Sequence, residues 1–342
     1  MSPFRPSTPE DSAQIVTLFE EVGFHPNCRP QDLHWKYWRE RLDWQGTRSF
    51  VLTDERRVIA HGSAVPGRIA WGDHRASILQ VTDWVASPKS PSAGVSLLTR
   101  IGQLADIHVS VGGTQETRQI MPLIGFRPLC RITGYVRPLR PWRILRSGAK
   151  VGWRLAARYL RSALWKARAP AAEVTECRPL RIGARQLARL ASVIPRPRAG
   201  MAVIERSPAG FAHALACPMV ASELYGLELR GTLRGYFLLT FAPGQVRVAD
   251  LWTESEDPAD WRACIQCAVE RAMQHEDAVE IVGWASTPEL SARWRECGFH
   301  ARTDEPVLIR QRGALEVPSL VHLQMLDTDA AYLHQGLVGL WA

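Results

Sequence analysis

Cys264 and Cys267 form a Cys-x-x-Cys pair, a spacing that can hold a metal or shuttle electrons. A zinc site needs a second ligand pair, and none has suitable spacing. A redox pair would open a helix after a strand, whereas these two lie inside the periodic run Trp261-Arg-Ala-Cys-Ile-Gln-Cys-Ala-Val. They read as helix packing, because free cysteine is mostly buried. The seven cysteines are odd in number and lack a disulfide spacing, which fits a reducing compartment. Asp327 and Asp329 are two apart, so on a strand they would share a face. A metal there needs more oxygen ligands, so a turn or cap is the simpler use, and no metal is expected.

The charge is concentrated. Of a formal +8, the stretch Arg127–Arg168 supplies 12 Lys/Arg and no acid, which leaves the rest of the chain at −4. Arg143, Arg146, Lys150, Arg154, Arg158 and Arg161 recur at steps of three and four, along one helical face. Trp142, Leu145, Val151, Leu155, Tyr159 and Leu160 supply apolar groups around the remainder. Three uses compete. The helix is a solvated linker with its apolar side on the rest of the protein. Or residues 143–166 lie on an anionic membrane surface. Or they bind an acidic partner such as RNA or an acyl carrier protein. DNA is not expected.

The elements that frame these groups are readable in order. Ser7-Thr8-Pro9-Glu10-Asp11 starts a helix, Gly23 ends it, and a second helix is expected over Gln31–Leu42. Strands follow at Ser49–Thr53, at Val58–Trp71 with a break near Pro66-Gly67, and at Ala76–Val85. Ser87-Pro-Lys-Ser-Pro-Ser-Ala-Gly-Val leads into an apolar helix with Leu97, Leu98, Ile101 and Leu104. A strand over Ile107–Gly113, a helix over Thr114–Leu123 and a strand over Phe126–Leu139 complete the set.

This order, with the loop from Val85 to Val95, resembles the GNAT acyltransferase superfamily over residues 1–140. Members carry Gln/Arg-x-x-Gly-x-Gly/Ala before a helix, and Lys89, Ser92 and Gly94 occupy those positions. The resemblance implies that acetyl-CoA or another acyl-CoA is the donor. Unpaired N–H groups at the helix start would hold its pyrophosphate. Ser87, Ser90, Ser92, Ala93, Gly94 and Val95 would form that loop, with Lys89 adding charge. The pantetheine arm would pair with Trp84, Val85, Ala86 and Ser87. Asp83, on the strand facing the acyl group in the family, would be the base for an attacking amine. His25, His34 and Tyr37 lie where the first helices line the acceptor pocket. The family's thiolate-protonating Tyr is replaced by Met121.

After Pro170 the plan starts again. A strand is expected from Glu173 and helices over Ala184–Ile194 and from Ser207. Strands at Glu223–Leu229, Leu233–Phe241 and Val246–Trp252 follow, then helix Pro258–Gln274, strand Val279–Ala285, helix Pro288–Cys297 and strand Phe299–Gln311. This suggests a duplicated module. Four acids between Trp252 and Trp261 would repel a pyrophosphate, so no coenzyme A is expected there. The end, His322–Asp329, resembles a closing strand of tandem GNAT proteins.

The expected architecture is therefore α/β: two GNAT-like modules, each a mixed, largely antiparallel sheet flanked by helices, at 1–140 and 173–342, joined by a basic helix at 141–172. The implied function is acyl transfer to a small-molecule or glycan-precursor amine, in envelope or polysaccharide biosynthesis. A Fem-type aminoacyl transferase and a non-catalytic binding or scaffold protein are the rivals. No run of about 20 apolar residues exists, and Met1-Ser2-Pro3-Phe4-Arg5 has no apolar signal region. A cytoplasmic location, with contact at the inner membrane face through 143–166, is the expectation.

Overall fold

A computed structural model describes residues 3–24, 26–55, 57–146, 153–170 and 177–333. Fourteen strands form one mixed sheet. They are β1 (Phe4–Pro6), β2 (Ser49–Asp54), β3 (Arg57–Trp71), β4 (His74–Ala86), β5 (Ile107–Val111), β6 (Arg127–Pro138), β7 (Cys177–Arg181), β8 (Met201–Ile204), β9 (Ala221–Leu229), β10 (Thr232–Ala242), β11 (Gln245–Thr253), β12 (Glu280–Ala285), β13 (His300–Gln311) and β14 (Leu320–His322). The α-helices are α1 (Ser12–Glu21), α2 (Pro30–Leu33), α3 (Pro91–Ile101), α4 (Gln115–Leu123), α5 (Trp153–Arg168), α6 (Pro208–Leu215), α7 (Pro258–Gln274) and α8 (Pro288–Glu296).

The spatial order is β1-β2-β3-β4-β5-β13-β6-β12-β11-β10-β9-β7, with β8 on β3 and β14 on β8. Most pairs are antiparallel; β4–β5, β11–β12 and β8–β14 are parallel. The run β2-β3-β4-α3-β5-α4-β6 has the same element order as β9-β10-β11-α7-β12-α8-β13. The last strands of the two runs change places: β13 lies between β5 and β6, and β6 lies between β13 and β12. The largest core cluster gathers β9–β12, α6, α7 and α8, and also takes in Trp35, from ahead of β2, and Tyr135 and Val136 of β6.

Several expectations are corrected. The helix expected over Gln31–Leu42 is a four-residue α2 followed by a π turn, His34–Trp38. No break occurs at Pro66-Gly67; β3 pairs with β4 straight through, as Pro66↔Leu79 and Gly67↔Ile78. Proline is tolerated there because β2 pairs only as far as Ser63 and β8 only from Ile69, so Pro66 sits on an edge. The helix expected over Ala184–Ile194 is a 3-10 helix, Ala184–Ser192. The closing strand is only Leu320–His322; Asp327 and Asp329 lie in two 3-10 turns, Met325–Asp327 and Asp329–Ala331. Cys264 and Cys267 are buried in α7, and Cys267 meets Cys177 with sulfurs 2.8 Å apart.

Candidate functional site

β4 leaves its regular pairing near its end. His61 faces Val85 and Ser63 faces Thr82, so the single residue Gly62 lies opposite both Asp83 and Trp84. At this bulge Asp83 has φ +47°, a left-handed conformation that Asp adopts more readily than most residues. The turn sends its carboxylate into the protein. Tyr37 donates to Asp83 Oδ2 over 2.6 Å, Ser63 lies 3.5 Å from the same oxygen, and Lys36 makes a buried ion pair with it. The π turn delivers Lys36 and Tyr37 together: its wider winding turns Trp35, Lys36 and Tyr37 all inward.

Burial alone would raise the Asp83 carboxyl, but Lys36 and the Tyr37 hydroxyl hold it below its ordinary value. A second carboxylate shares this environment. Burial and the charge of Asp83 push Asp329 up to about 7, against the pull of Lys36. Behind the bulge, His61 Nδ1 donates to the Asp83 carbonyl over 3.1 Å, and its Nε2 accepts from Ser49 over 2.9 Å. Burial lowers His61 to about 4, so it stays neutral at physiological pH.

The strands around Asp83 part company. β4 pairs with β5 only from Ile78 to Gln80, opposite Ile107–Val109. β4 then runs on to Ala86, while β5 continues along β13. The N-terminus of α3 sits at the far end of this opening. Trp84 Nε1 donates to the Gly94 carbonyl over 2.9 Å, and a Cβ on Gly94 would stand 3.2 Å from the Ala86 Cβ. The Ser90 side chain makes no capping bond, and Pro91 follows it. Lys89 and Ser92 are exposed, Ser90 and Val95 half-buried, and Ser87, Ala93 and Gly94 buried. Tight glycine packing and an uncapped helix start beside an open strand edge are the features an anionic, extended ligand requires. Met121 is buried with Val81, Leu98, Phe126 and Leu308, an apolar filling where a proton donor was sought.

A cavity of about 520 Å³ adjoins the sheet on the side of the π turn. Its floor is Val65, Gly67, Ile78, Gln80 and Val109; its walls come from Arg41 and Asp43, from Arg206 to Phe211, and from Leu323 to Tyr332. A small recess, lined by Lys36, Ser63, Thr82 and Asp329, shares Trp35, His213 and Tyr332 with it. Besides Lys36 Nζ, which is ion-paired with Asp83, two buried polar atoms of these lining residues have no hydrogen-bond partner among the described residues: Gln80 Oε1 and His213 Nδ1. Arg48 Nη1 lies 3.3 Å from His213 Nε2 and donates to it, so Nδ1 carries the proton. Burial and the nearby Arg41 and Arg48 lower His213 to about 2, which keeps it neutral. Both atoms are closed off by their neighbours, so the polar groups that face the cavity come from other lining side chains, Arg41, Asp43, Glu205 and Ser207 among them.

The corresponding place in the second run is closed. β11 also parts from β12 after Arg247. But Asp257 caps α7 by accepting from Ala259 N–H over 2.8 Å, and the Arg198 guanidinium lies against the carbonyls of Thr253, Glu254 and Ser255. Arg198 also covers the Trp252 ring at 4.6 Å.

Of the residues singled out in the sequence, Asp83 and Tyr37 meet directly. His34 is exposed and does not join them, and His25 lies outside the described residues. Lys36 and Gln80 were missed, and Asp329 was named only as a turn or metal residue, not as a neighbour of Asp83. Lys36 did carry a signal, as the one charged residue inside Trp35-Lys36-Tyr37-Trp38.

No family model matches the chain, and no curated protein matches it in sequence. Solved structures do match in shape. A GCN5-related N-acetyltransferase from Anabaena variabilis superposes with a TM-score of 0.56 at 13% identity, covering 91% of this chain and 73% of that one. Another, from Kribbella flavida, gives 0.56 at 12% identity, with 91% and 71% covered. The fold is that of the GCN5-related N-acetyltransferases. Saccharomyces cerevisiae N-myristoyltransferase, solved with myristoyl-CoA, shares this GNAT fold with a TM-score of 0.56 at 9% identity, covering 91% of this chain and 79% of that one. The GNAT-like sheet thus runs through nearly the whole chain.

Proposed function

We propose that this protein is an acyl-CoA-dependent N-acyltransferase, with residues 1–140 as its donor module and a second, degenerate GNAT-like module after the linker. One observation carries the reading: β4 parts from β5 at Gln80, beside the uncapped start of α3, with the Asp83 bulge on the same strand. The acyl-CoA supplies a thioester. Lys89 and the N–H of Ser92, at the start of α3, hold its phosphates, and the free edge of Trp84–Ser87 pairs with its pantetheine. A neutral amine in the 520 Å³ cavity attacks the acyl carbon; the carbon–sulfur bond breaks and the thiolate leaves. β4 N–H groups near the bulge stabilise the oxyanion. The amine proton passes to the Asp83 and Asp329 pair, which Lys36 keeps partly ionised. Asp329 suits this role at neutral pH, since a base works best with a pKa near the working pH.

The capped, acid-rich start of α7 supports a second module without coenzyme A. Arg41, Asp43, Glu205 and Ser207 line the cavity and favour an acceptor bearing hydroxyl or amide groups beside its amine, as a glycan precursor does.

The first test is thermal unfolding with and without saturating acetyl-CoA and longer acyl-CoAs. A ligand at 100 times its Kd stabilises the fold by about 2.7 kcal/mol. The control is Ser92→Glu, because Ser92 is exposed and its replacement spares the packing that Gly94 makes. A shift that Ser92→Glu abolishes supports the donor site. No shift with any acyl-CoA rejects it in favour of an aminoacyl-tRNA donor or a binding protein, the reading that buried Met121 favours.

A further inference from the structure

The basic helix turns Leu155, Tyr159 and Trp165 toward the protein but leaves a second apolar stripe uncovered. In α5 the uncharged residues turned to solvent are Trp153, Ala156, Ala157, Leu160, Leu164 and Ala167; Lys166 and Arg168 are exposed as well. Trp153 is 76% exposed, Leu160 59% and Leu164 48%. At 3.6 residues per turn these six fall within an arc of about 100°. Ser162, at the centre of the opposite face, is fully buried. Trp165 is turned inward and stacks on His300 at 4.0 Å. Arg161 and Arg168 fall along one border of the stripe by helical position. Lys166 lies over the ring of Trp142, itself 47% exposed. Arg143, before the helix, binds Asp277 over 2.9 Å, and the charge of Glu280 acts on Arg158 and Arg161.

We infer that α5 is a membrane-docking helix that lies in the plane of an anionic lipid surface. Its stripe of Trp153, Leu160 and Leu164 enters the headgroup boundary, and the flanking Arg161, Lys166 and Arg168 meet lipid phosphates. Three observations commit the face to lipid. An exposed leucine stripe has no use against RNA, which is polar. The helix itself, Trp153–Arg168, holds five basic residues and no acid, so the same helix of a second copy would be repelled across this face. A helix of 16 residues is about 24 Å long, and among the described residues no helix is long and apolar enough to cross a membrane. An apolar stripe bordered by Lys and Arg suits a helix lying flat at an interface.

The test is co-sedimentation of the full chain with vesicles of phosphatidylcholine alone and of phosphatidylcholine mixed with phosphatidylglycerol. The protein binds the anionic vesicles and is released by added salt. Leu160→Asp with Leu164→Asp weakens binding by about tenfold or more, and unfolding is unchanged because both side chains are exposed. Leu160→Gln with Leu164→Gln gives the same loss without an added charge. Lys166→Glu with Arg168→Glu weakens binding to anionic vesicles alone. Failure to sediment with anionic vesicles at low salt overturns the inference, as does sedimentation that the leucine variants leave intact. Self-association or RNA binding in place of vesicle binding overturns it too.

Discussion

Asp83 and Asp250 are counterparts. Each lies three residues from the end of its strand, β4 or β11, beside a shift in register. Each side chain is fully buried and accepts from a tyrosine hydroxyl, Tyr37 at 2.6 Å and Tyr236 at 2.7 Å. Each also faces a cation: Lys36 for Asp83 and Arg206 for Asp250. The segment after β14 serves both, since Asp327 pairs with Arg206 over 2.6 Å and the charge of Asp83 raises the Asp329 carboxyl.

Arg206 bridges two carboxylates, so its loss is costly. Arg206→Met leaves Asp250 and Asp327 buried without their cation and destabilises the protein by about 3–5 kcal/mol. Urea unfolding measures this. Arg206→Lys recovers only part, because an ammonium lacks the fork that spans both acids.

Asp83→Asn removes a proton acceptor while keeping its shape. Acyl transfer falls by about 10²–10⁴-fold, and the acetyl-CoA thermal shift is unchanged. A variant with full turnover would remove Asp83 from the chemistry.

Asp329 sets the pH response of transfer. In the wild type kcat/KM falls with acid as Asp329 takes up its proton near 7. In Asp329→Asn that limb disappears from the profile and the maximum rate drops. A limb that persists assigns the titration to another group.

Stability declines in acid. His61, His108 and His322 are lowered to about 4 and His213 to about 2, all chiefly by burial. Each binds a proton in the unfolded chain below about 6.5 but not in the folded one. Their contribution is therefore present above pH 6.5 and is lost as pH falls toward 4, with a slope of up to about 1.4 kcal/mol per pH unit for each. Asp327 and Asp329 act in the opposite sense, since burial raises both carboxyls in the folded state, but two carboxyls do not offset four imidazoles. Urea midpoints at pH 7.5 and 5.5 will show the loss, and His322→Gln will reduce it.

Two glycines tolerate no side chain. A Cβ on Gly235 would stand 2.4 Å from the Trp252 carbonyl oxygen, and one on Gly283 would stand 2.5 Å from the Trp294 ring. Gly235→Ala and Gly283→Ala each cost about 1–3 kcal/mol by overpacking, measured by thermal unfolding.

The order of elements from β2 to β6 was legible because each strand and helix carries its own period and turn residues. Partnerships were not. Nothing local to Pro66-Gly67 says that β2 stops short and leaves the proline an edge. The wheel of α5 separated basic from apolar residues, but which side faces inward is decided by His300, far along the chain. Asp83 was found through its loop, whereas Lys36 and Asp329 are joined to it only by folding.

The placement of β13 carries a cost in time. Val111 on β5 pairs with Val307 on β13, so the sheet edge left by β5 waits for a strand made roughly 200 residues later. At a synthesis rate of about 5–20 residues per second, that edge stands open for about 10–40 s on the ribosome. During that interval the nascent chain presents an unpaired strand to its neighbours. A ribosome-bound chain ending before His300 is therefore a natural client for chaperones, and a stop codon there yields aggregate rather than a working half.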